Sequence, residues 1–422
     1  MLDLKFIREN PERVRAGLAT KNDRRGIDEV LRLDERRREL IKEADVLKAK
    51  RNSVSMDVAR LKKEGKDASG IIAEMKTVSD RIAALDRERR EVEDKVEELL
   101  CWIPNLPHSS VPVAPDESGN VEVRSWGQKP DFAFTPAPHW ELGEKLGLLD
   151  LAAAAKISGA GFITFSGWGA KLERALINFM LDMHTQKHGY KEVSPPFLVN
   201  RAAMFGTGQL PKLEEDMYCL KEDDLFLIPT AEVPLTNLFR EEILPSERLP
   251  VYVTAYTPCF RREAGAAGKD TRGITRVHQF DKVEIVKIVR PEKSYDELES
   301  LVQNAEAILQ ALGLHYRVKL LASGDMSFAS AKTYDLEVWA PGVGKYLEVS
   351  SCSNFEDFQA RRMNLRFRPA PEAKPEYPHT LNGSGLALPR TVIAILEQHQ
   401  TEKGTVKVPE ALVPYLGAKE LV

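Results

Sequence analysis

The chain has 422 residues, 43% hydrophobic and 29% charged, and its 60 basic and 64 acidic side chains leave a net charge of -4. This composition excludes a disordered or collagen-like chain, and the near balance of charge means that any nucleic-acid-binding surface must be local. The four cysteines are far apart without a CxxC pair, which argues against a zinc ribbon or a disulfide framework. No apolar stretch has the length of a signal peptide or a membrane span. We therefore expect a cytoplasmic protein of two or three domains that has no membrane contact.

The first hundred residues are dominated by charge, with 25 Lys or Arg and 23 Asp or Glu. Alternating steps of four and three from Leu33 to Leu61 meet apolar residues at seven of nine positions, and the same steps from Ile71 to Leu99 do so at eight of nine. Such a seam is typical of coiled-coil helices, and the polar residues 64–70 between the two stretches indicate a turn. The pattern predicts an antiparallel coiled-coil hairpin over about residues 27–100, within an N-terminal domain of residues 1–103.

The distal end of this hairpin, residues 48–76, carries eight basic against four acidic side chains. A basic tip fits contact with a phosphate backbone, although a charge run can also simply solvate a helix face. The residues alone leave both interpretations open. The candidate nucleic-acid contacts of the tip are Lys48, Arg51, Arg60, Lys62, Lys63 and Lys66.

A proline-rich segment, residues 104–138, is predicted to be an irregular linker. Beyond it, residues 139–422 show strand-like runs between stretches of helical spacing, which indicates an α+β domain with an antiparallel sheet flanked by helices. The predicted helices are 171–188, 231–244, 294–312 and 389–400, and the predicted strands are 225–228, 251–256, 283–289, 316–321, 335–339 and 345–349.

Two of the predicted strands carry the first group of candidate chemical residues. The motifs FRRE and RVHQFDKVE flank a basic loop, residues 264–275. Pairing of the two strands would place Arg261 and Glu263 of the first motif beside the second, where Phe280 and Glu284 occur. An arginine can clamp a phosphate, an aromatic ring can stack on a purine, and a carboxylate can accept an amine. An ordinary charged hairpin is the alternative interpretation.

Three further segments have weaker signals of their own. The motif GSGLALPR has glycines that permit close backbone approach to a ligand, and its Arg390 lies in a first helical turn, where a cation is disfavoured unless an anion is near. Glu348 and Ser351, at the end of a strand, could hold a hard cation through oxygen ligands. The segment PTAE supplies Thr230 and Glu232, for which plain N-capping of a helix is the simpler explanation.

Taken together and in this order, these segments resemble the bacterial-type seryl-tRNA synthetases, a family of class II aminoacyl-tRNA synthetases, over essentially the whole chain. FRRE with RVHQFDKVE resembles motif 2, GSGLALPR resembles motif 3, and residues 171–188 resemble motif 1, which forms the family's dimer interface. PTAE, EVSS and LNGSG are similar to its serine and ATP segments. The hairpin resembles the arm that grips the long variable arm of the tRNA. Gly161 stands where many members carry arginine, so we assign it no catalytic role.

The resemblance implies a role for each matching residue. The catalytic residues would be Arg261 and Arg390. The serine-binding residues would be Thr230, Ala231, Glu232, Arg261, Glu284, Asn382 and Ser384. The ATP-binding residues would be Arg261, Arg262, Glu263, Val277, Phe280, Glu348, Val349, Ser350, Ser351 and Arg390. Glu348 and Ser351 would also hold Mg²⁺. Besides the residues of the hairpin tip, Lys269 and Arg272 of the motif 2 loop would contact tRNA.

The implied activity has two steps: L-serine and ATP give seryl-adenylate and pyrophosphate, and serine then passes to the 3′ end of tRNA(Ser), and also of tRNA(Sec). The implied state is a homodimer that binds tRNA across its subunits, with ATP and Mg²⁺ but no zinc. A ligase that charges a carrier protein and an inactive RNA-binding paralogue are alternatives, as is a threonine or proline enzyme. The hairpin, the intact motif residues and the lack of a Cys/His cluster argue against them. His184 and His188 have helical ligand spacing without a third ligand and are interpreted as structural.

Overall fold

The computed structural model describes residues 1–264 and 272–422 and divides into two compact units. One unit comprises residues 1–19 and 23–104, and the other comprises residues 20–22 and 105–422. The division after residue 104 lies next to the predicted end of the N-terminal domain at residue 103. Within the described ranges, no helix combines the length and the apolar character needed to cross a membrane.

The N-terminal unit contains the long helical hairpin that the hydrophobic seam predicts. Its described helices are α1, Leu4–Glu9; α2, Pro11–Thr20; α3, Asp28–Lys63; and α4, Ser69–Leu100. Helices α3 and α4 are antiparallel, because the residue numbers rise along α3 as they fall along α4 in the ion pairs Arg36–Glu88, Glu43–Arg81 and Lys50–Glu74. Seam residues such as Leu40 and Leu85 are buried between the helices. At about 1.5 Å per residue, α3 is roughly 54 Å long, and the predicted coiled-coil hairpin is confirmed.

An eight-stranded sheet forms the centre of the second unit. The strands of this unit are β1, Val121–Trp126; β2, Lys191–Glu192; β3, Leu198–Asn200; β4, Cys219–Leu220; β5, Leu225–Leu227; β6, Ile243–Pro245; β7, Val251–Phe260; β8, Gln279–Val289; β9, Tyr316–Leu320; β10, Lys332–Ala340; β11, Lys345–Asn354; β12, Arg366–Arg368; β13, His379–Ala387; β14, Val406–Lys407; and β15, Glu420–Leu421. The sheet has the order β1–β9–β10–β11–β13–β8–β7–β2 and is antiparallel except for the β2–β7 pair. The antiparallel sheet of an α+β domain is therefore confirmed.

Three amphipathic helices supply much of the core that covers this sheet. The helices of the unit are α5, His139–Lys145; α6, Leu151–Ser158; α7, Trp168–Gln186; α8, Arg201–Thr207; α9, Glu232–Asn237; α10, Ser294–Ala311; α11, Phe358–Arg362; α12, Leu388–Gln398; and α13, Val413–Leu416. Leu176 of α7, Leu301 of α10 and Ile393 of α12 are fully buried in one apolar cluster with residues of the strands. Burial of apolar side chains at helical spacing is what holds these helices on the sheet. The predicted helices 171–188, 294–312 and 389–400 are thus confirmed within a few residues at their ends.

Part of the proline-rich segment predicted as a linker is regular structure. Residues 121–126 form β1, the edge strand that pairs with β9. Asn105 is buried and its side-chain amide donates to the carbonyl oxygens of Ala329 at 2.9 Å and Phe355 at 2.8 Å. The linker prediction is therefore wrong for β1. An edge strand can consist largely of exposed residues. This strand therefore lacks an apolar pattern that would reveal it in the sequence, and the prolines on both sides favoured the linker prediction.

Two other predictions need correction. The helix predicted over residues 231–244 ends as α9 at Asn237, because Glu241 has a positive φ of 63° and residues 243–245 form β6, which pairs with β12. The glycines of GSGLALPR, interpreted as permitting close backbone approach to a ligand, lie inside strand β13. A Cβ on Gly383 would approach Cys352 Sγ to 2.8 Å, and one on Gly385 would approach His184 Nε2 to 2.3 Å. These glycines are therefore required for close packing on the sheet, not for the approach of a ligand.

Candidate active site

Two adjoining clefts open over the sheet where β7, β8, β11 and β13 lie side by side. The first cleft, of about 280 Å³, is lined by Arg261, Glu263, Ile274, Thr275, Arg276, Val277, Phe280, Lys282, Glu348, Val349, Ser384, Ala387, Pro389 and Arg390. The second cleft, of about 240 Å³, is lined by residues that include Thr207, Gln209, Thr230, Glu232, Arg261, Lys282, Glu284, Phe328, Ser351, Asn382 and Ser384. Arg261 and Lys282 line both clefts, so a ligand in one lies next to a ligand in the other.

The pairing of β7 with β8 positions the first cleft as the sequence predicts. Cys259 is opposite Phe280 and Ala255 is opposite Glu284. The Arg261 guanidinium lies 5.2 Å from the centre of the Phe280 ring, and its Nε donates to the carbonyl oxygen of Pro229 at 3.3 Å. Arginine and aromatic ring thus form a cationic and stacking wall of the kind that suits a nucleotide.

Arg390 reaches the first cleft from the first turn of α12. Its Nη1 donates to the carbonyl oxygen of Glu348 at 2.6 Å and lies 3.5 Å from the Glu348 carboxylate, while its Nε donates to the carbonyl oxygen of Thr275 at 3.3 Å. Glu263, which has a positive φ of 52°, forms an ion pair with Arg276. Six charged side chains of the described residues therefore line the first cleft, and two of them, Arg261 and Arg390, are the arginines predicted to be catalytic.

The second cleft contains two buried carboxyl groups and one buried ammonium. Glu284 Oε2 accepts from Lys282 Nζ at 2.5 Å and from Thr230 Oγ1 at 3.3 Å, and Glu284 Oε1 accepts from Asn382 Nδ2 at 3.0 Å. Lys282 Nζ also donates to Thr230 Oγ1 at 2.8 Å. The predicted residues Thr230, Glu284 and Asn382 are thus joined in one polar network with Lys282.

Burial perturbs both of the buried carboxyl groups of this cleft. Burial, reinforced by the negative charge of Glu284, raises the pKa of Glu232 to about 7. Burial also raises the pKa of Glu284, and the adjacent Lys282 ammonium opposes that shift. Because desolvation disfavours an uncompensated carboxylate, the cleft favours a ligand that brings a positive charge.

Sequence reasoning missed Lys282, which lines the second cleft, and Gln359, which is hydrogen-bonded to Glu232. Lys282 occupies the position between Phe280 and Glu284 on the same face of β8, so the alternation of the strand was a usable signal. Gln359 is buried, and its Nε2 donates to Glu232 Oε1 at 2.6 Å while its Oε1 accepts from Thr380 at 2.7 Å. No motif marks Gln359, since it comes from α11, far along the chain.

Oxygen atoms that could bind a cation lie beside these clefts, on Asp335, Glu348 and Ser351. Ser351 lies opposite Asp335 in the β10–β11 pair, and Glu348 lies three residues before Ser351. Asp335 Oδ1 is buried without a hydrogen-bond partner in the described part of the chain, and burial together with the Glu348 charge raises the pKa of Asp335 well above its ordinary value. An orphaned buried carboxyl oxygen of this kind is costly unless a cation or donor satisfies it. The predicted pair Glu348 and Ser351 therefore fits Mg²⁺, and Asp335 adds a carboxyl group that the sequence did not indicate.

Three residues predicted to bind ligands are not on the wall of either cleft. Arg262 is directed to the carbonyl oxygen of Glu215 at 3.2 Å. Ser350 is buried and donates to the carbonyl oxygen of Ser384 at 2.7 Å. Ala231 is buried in an apolar cluster with residues of β7 and β8. Ser350 is turned away because neighbouring positions in a strand face opposite sides of the sheet. Val277 and Val349, which were predicted to bind ATP, line the first cleft.

The predicted tRNA contacts differ in how freely their charges are presented. Lys48 pairs with Asp86 at 3.2 Å and Arg60 with Asp57 at 3.2 Å, and Lys66 pairs with Glu64 at 2.7 Å. Arg51 is half-buried, while Lys62 and Lys63 are exposed near the end of α3. The Arg272 guanidinium lies 4.6 Å from the centre of the Trp140 ring. Lys269 lies outside the described residues.

Comparison with known proteins identifies the class to which this sheet and its clefts belong. Residues 216–399 match the family model of the tRNA synthetase class II core domain (G, H, P, S and T), which defines the second unit as the core of a class II aminoacyl-tRNA synthetase. Residues 1–107 match the seryl-tRNA synthetase N-terminal domain.

Relatives over the full length of the chain define the family. The serine–tRNA ligase of Carboxydothermus hydrogenoformans is 57% identical over 100% of this chain and 99% of the relative. A crystal structure of seryl-tRNA synthetase from Pyrococcus horikoshii complexed with ATP is 40% identical, with a TM-score of 0.96, and covers 100% of this chain and 99% of that one. A cytoplasmic serine–tRNA ligase from Naegleria fowleri in complex with AMP is 30% identical, with a TM-score of 0.88 and coverage of 100% and 98%. The chain therefore belongs to the seryl-tRNA synthetases, the ATP-dependent ligases that join serine to tRNA, and the family and enzyme class predicted from its motifs are confirmed.

Proposed function

We propose that the two clefts form a single active site, in which this chain activates L-serine with ATP and then transfers serine to the 3′ end of tRNA. The observation that carries this proposal is that Arg261 lines both clefts. From that position one guanidinium reaches the α-phosphate of ATP in the first cleft and the carboxylate of serine in the second. These are the two groups that meet when the carboxylate attacks the α-phosphorus and pyrophosphate leaves.

The first cleft holds ATP in this proposal. Phe280 stacks on the adenine ring, Glu263 contacts the adenine side, and Arg390 stacks on the opposite face and reaches the γ-phosphate. The support is that all three residues line the cleft and that the Phe280 ring already lies against Arg261. The chain supplies no covalent group for the first step, so positioning and neutralisation of phosphate charge carry the catalysis.

The second cleft holds serine. Thr230, Glu232 and Glu284 take the amino group and the hydroxyl, and Asn382 and Ser384 complete the wall. The ammonium of serine compensates the carboxylates whose pKa values burial raises. A site built to hydrogen-bond a hydroxyl rejects an analogue that lacks it by roughly 10⁴-fold or more, because its buried polar groups are left unpaired.

Magnesium is assigned to Glu348 and Ser351 in this proposal, with Asp335 beside them. The ion would supply neutralisation of phosphate charge. Glu348 lines both clefts, which places it within reach of phosphate groups in the first cleft and next to the serine in the second. We assign no metal role to His184, whose Nε2 lies 3.0 Å from the carbonyl oxygen of Gly385 in the packed core.

The hairpin is proposed to bind tRNA(Ser), and also tRNA(Sec), in the cytoplasm. Its exposed Lys62 and Lys63 are the best presented of the predicted contacts. We further propose a homodimer in which the hairpin of one subunit holds a tRNA whose acceptor end enters the site of the other. A heterodimer of a hairpin-deleted subunit with an Arg261→Ala subunit pairs one intact hairpin with one intact site, and it should regain aminoacylation. If heterodimers form and remain inactive, each tRNA is served by one chain.

The experiment that tests the proposed function is ATP–pyrophosphate exchange with each of the twenty amino acids, followed by aminoacylation of tRNA(Ser) and tRNA(Sec) transcripts. Exchange should depend on L-serine, and serine should be attached to both tRNAs. Equal exchange with alanine or threonine would contradict the assignment of Glu232 and Glu284. If serine is attached to tRNA(Ser) but not to tRNA(Sec), only the proposal that tRNA(Sec) is a substrate is contradicted.

A further inference from the structure

A buried histidine–glutamate pair lies directly behind the first cleft. His139 begins α5 and Glu397 lies near the end of α12, and both side chains are 0% exposed. Glu397 Oε1 accepts from the backbone N–H of His139 at 2.9 Å and contacts His139 Nδ1 at 2.8 Å. Glu397 Oε2 accepts from the backbone N–H groups of Gly342 at 2.7 Å and Val343 at 3.2 Å. Four N–H groups thus hold this carboxylate in one position.

The pair fixes which nitrogen of His139 carries the proton. A carboxylate only accepts hydrogen bonds, so Nδ1 must be the donor and Nε2 of the neutral ring is left as an acceptor. The backbone N–H of Ile274 donates to that Nε2 at 3.2 Å. Glu397 therefore orients an imidazole whose free nitrogen holds one backbone amide in place.

That amide belongs to the segment by which the motif 2 loop returns to strand β8. Gly273 packs so closely on the imidazole that a Cβ there would lie 2.2 Å from His139 Nε2, and its φ of 69° lies in the left-handed region. The next carbonyl, that of Thr275, accepts from Arg390 at 3.3 Å. Ile274 and Thr275 both line the first cleft. The segment is thus fixed from one side by His139 and from the other by Arg390.

We infer that His139, oriented by Glu397, is a positioning residue for ATP: it holds residues 273–276 in the conformation that forms one wall of the first cleft. This inference rests on the proposed function, because it assigns ATP to that cleft. His139 does not line the cleft itself. Its effect should pass through the Ile274 amide to the nucleotide and leave the serine site unchanged.

Two substitutions separate the two hydrogen bonds of the ring. An asparagine places its amide near the position of Nδ1, so His139→Asn retains a donor to Glu397 and loses the acceptor for Ile274. A glutamine extends one bond further and places its carbonyl oxygen near the position of Nε2, so His139→Gln restores that acceptor. His399→Asn is the matched control, because His399 is hydrogen-bonded to the carbonyl oxygen of Leu312 at 3.0 Å and lines neither cleft.

The test combines hydrogen–deuterium exchange of peptides spanning residues 272–278 with steady-state pyrophosphate exchange. In His139→Asn we expect the hydrogen-exchange rate of the Ile274 amide and the KM for ATP each to rise about tenfold, which is the effect of one lost hydrogen bond. The KM for serine should change less than twofold. His139→Gln should retain both values within about threefold, and His399→Asn should match the unmodified chain.

Two results overturn the inference. One is a His139→Asn variant with unchanged deuterium uptake and unchanged KM for ATP. The other is a loss that affects the KM for ATP and the KM for serine equally and that His139→Gln does not reverse, since that pattern reports general destabilisation. The proposed function fails in a different way, by absence of serine-dependent exchange in the unmodified chain. In that case deuterium uptake still decides whether His139 holds the segment.

Discussion

Replacement of Lys282 by methionine tests the second cleft most directly. Lys282 Nζ lies 2.5 Å from Glu284 Oε2, and the two side chains are 6% and 1% exposed. Methionine retains most of the volume of the lysine stem and removes the charge. The substitution therefore leaves Glu284 buried beside Glu232 with only its hydrogen bonds to Thr230 and Asn382.

The size of the effect follows from the two states open to Glu284. If it stays ionised, loss of one member of a buried ion pair costs about 3–5 kcal/mol of the free energy of unfolding. If it takes up a proton at about pH 7.5, the cost is about 4 kcal/mol, because a carboxyl group with an ordinary pKa of about 4.3 pays about 1.36 kcal/mol per pH unit. Because the variant adopts whichever state costs less, the expected loss is about 3–4 kcal/mol at about pH 7.5. Since the folded variant favours a protonated Glu284, the loss should shrink as the pH falls towards about 4.3.

The measurements are urea unfolding across this pH range and serine-dependent pyrophosphate exchange. We expect kcat/KM for serine to fall about 10–100-fold, the worth of one hydrogen bond to a charged group. Lys287→Met is the matched control: Lys287 is also a buried lysine of β8, its Nζ lies 2.8 Å from Glu297 Oε2, and it lines neither cleft. That control should lose stability without loss of kcat/KM for serine. An unchanged kcat/KM for serine in Lys282→Met, or a loss of stability that is the same at every pH, would contradict the role given to Lys282.

Three other predictions concern the remaining parts of the molecule. Because burial raises the pKa of Glu232 to about 7, the folded chain loses stability as the pH rises from about 4.3 to about 7. In urea unfolding, Glu232→Gln should therefore be more stable than the unmodified chain by up to about 3 kcal/mol above that pH range, and equally stable below it. Arg261→Lys should retain the fold, by circular dichroism, and less than about 1% of pyrophosphate exchange, because an ammonium cannot replace the planar fork; near-normal exchange would exclude the proposed role. Deletion of residues 35–97 with the stumps bridged should spare exchange and abolish aminoacylation of tRNA, whereas equal loss of both would mean that the hairpin supports the catalytic unit.

The sequence predicts those parts of the chain whose structure depends on neighbours in sequence. The 3.5-residue seam predicts the hairpin, because the apolar residues that pack between its two helices recur at a spacing that is visible in the sequence. The same holds for strands β7 and β8, whose pairing places Arg261 against Phe280 at 5.2 Å. In both cases a local rule, the periodicity of a helix or a strand, fixes which side chains share a face.

The contacts that complete the site join residues with no local relation. Gln359 reaches Glu232 across 127 positions of sequence, and the Ile274 amide reaches His139 across 135. Neither Gln359 nor His139 stands in a motif, and each is recognisable only by the polar atom that it satisfies in a buried environment. Such partners emerge from the packing of α5, α11 and α12 around the sheet, which no single-sequence pattern specifies.

The motif GSG shows how a correct identification can rest on the wrong physical reason. Its glycines were interpreted as permitting close backbone approach to a ligand, yet Gly383 and Gly385 lie in a central strand and face the core. Their missing side chains make room on the core side, where Leu301 of α10 and His184 of α7 approach the backbone. Because neighbouring residues of a strand face opposite sides, this leaves Ser384 on the other side, where it lines both clefts. The sequence Gly-Ser-Gly thus meets two needs at once: the glycines allow two helices to pack closely behind the strand, and the serine between them faces the clefts in front of it.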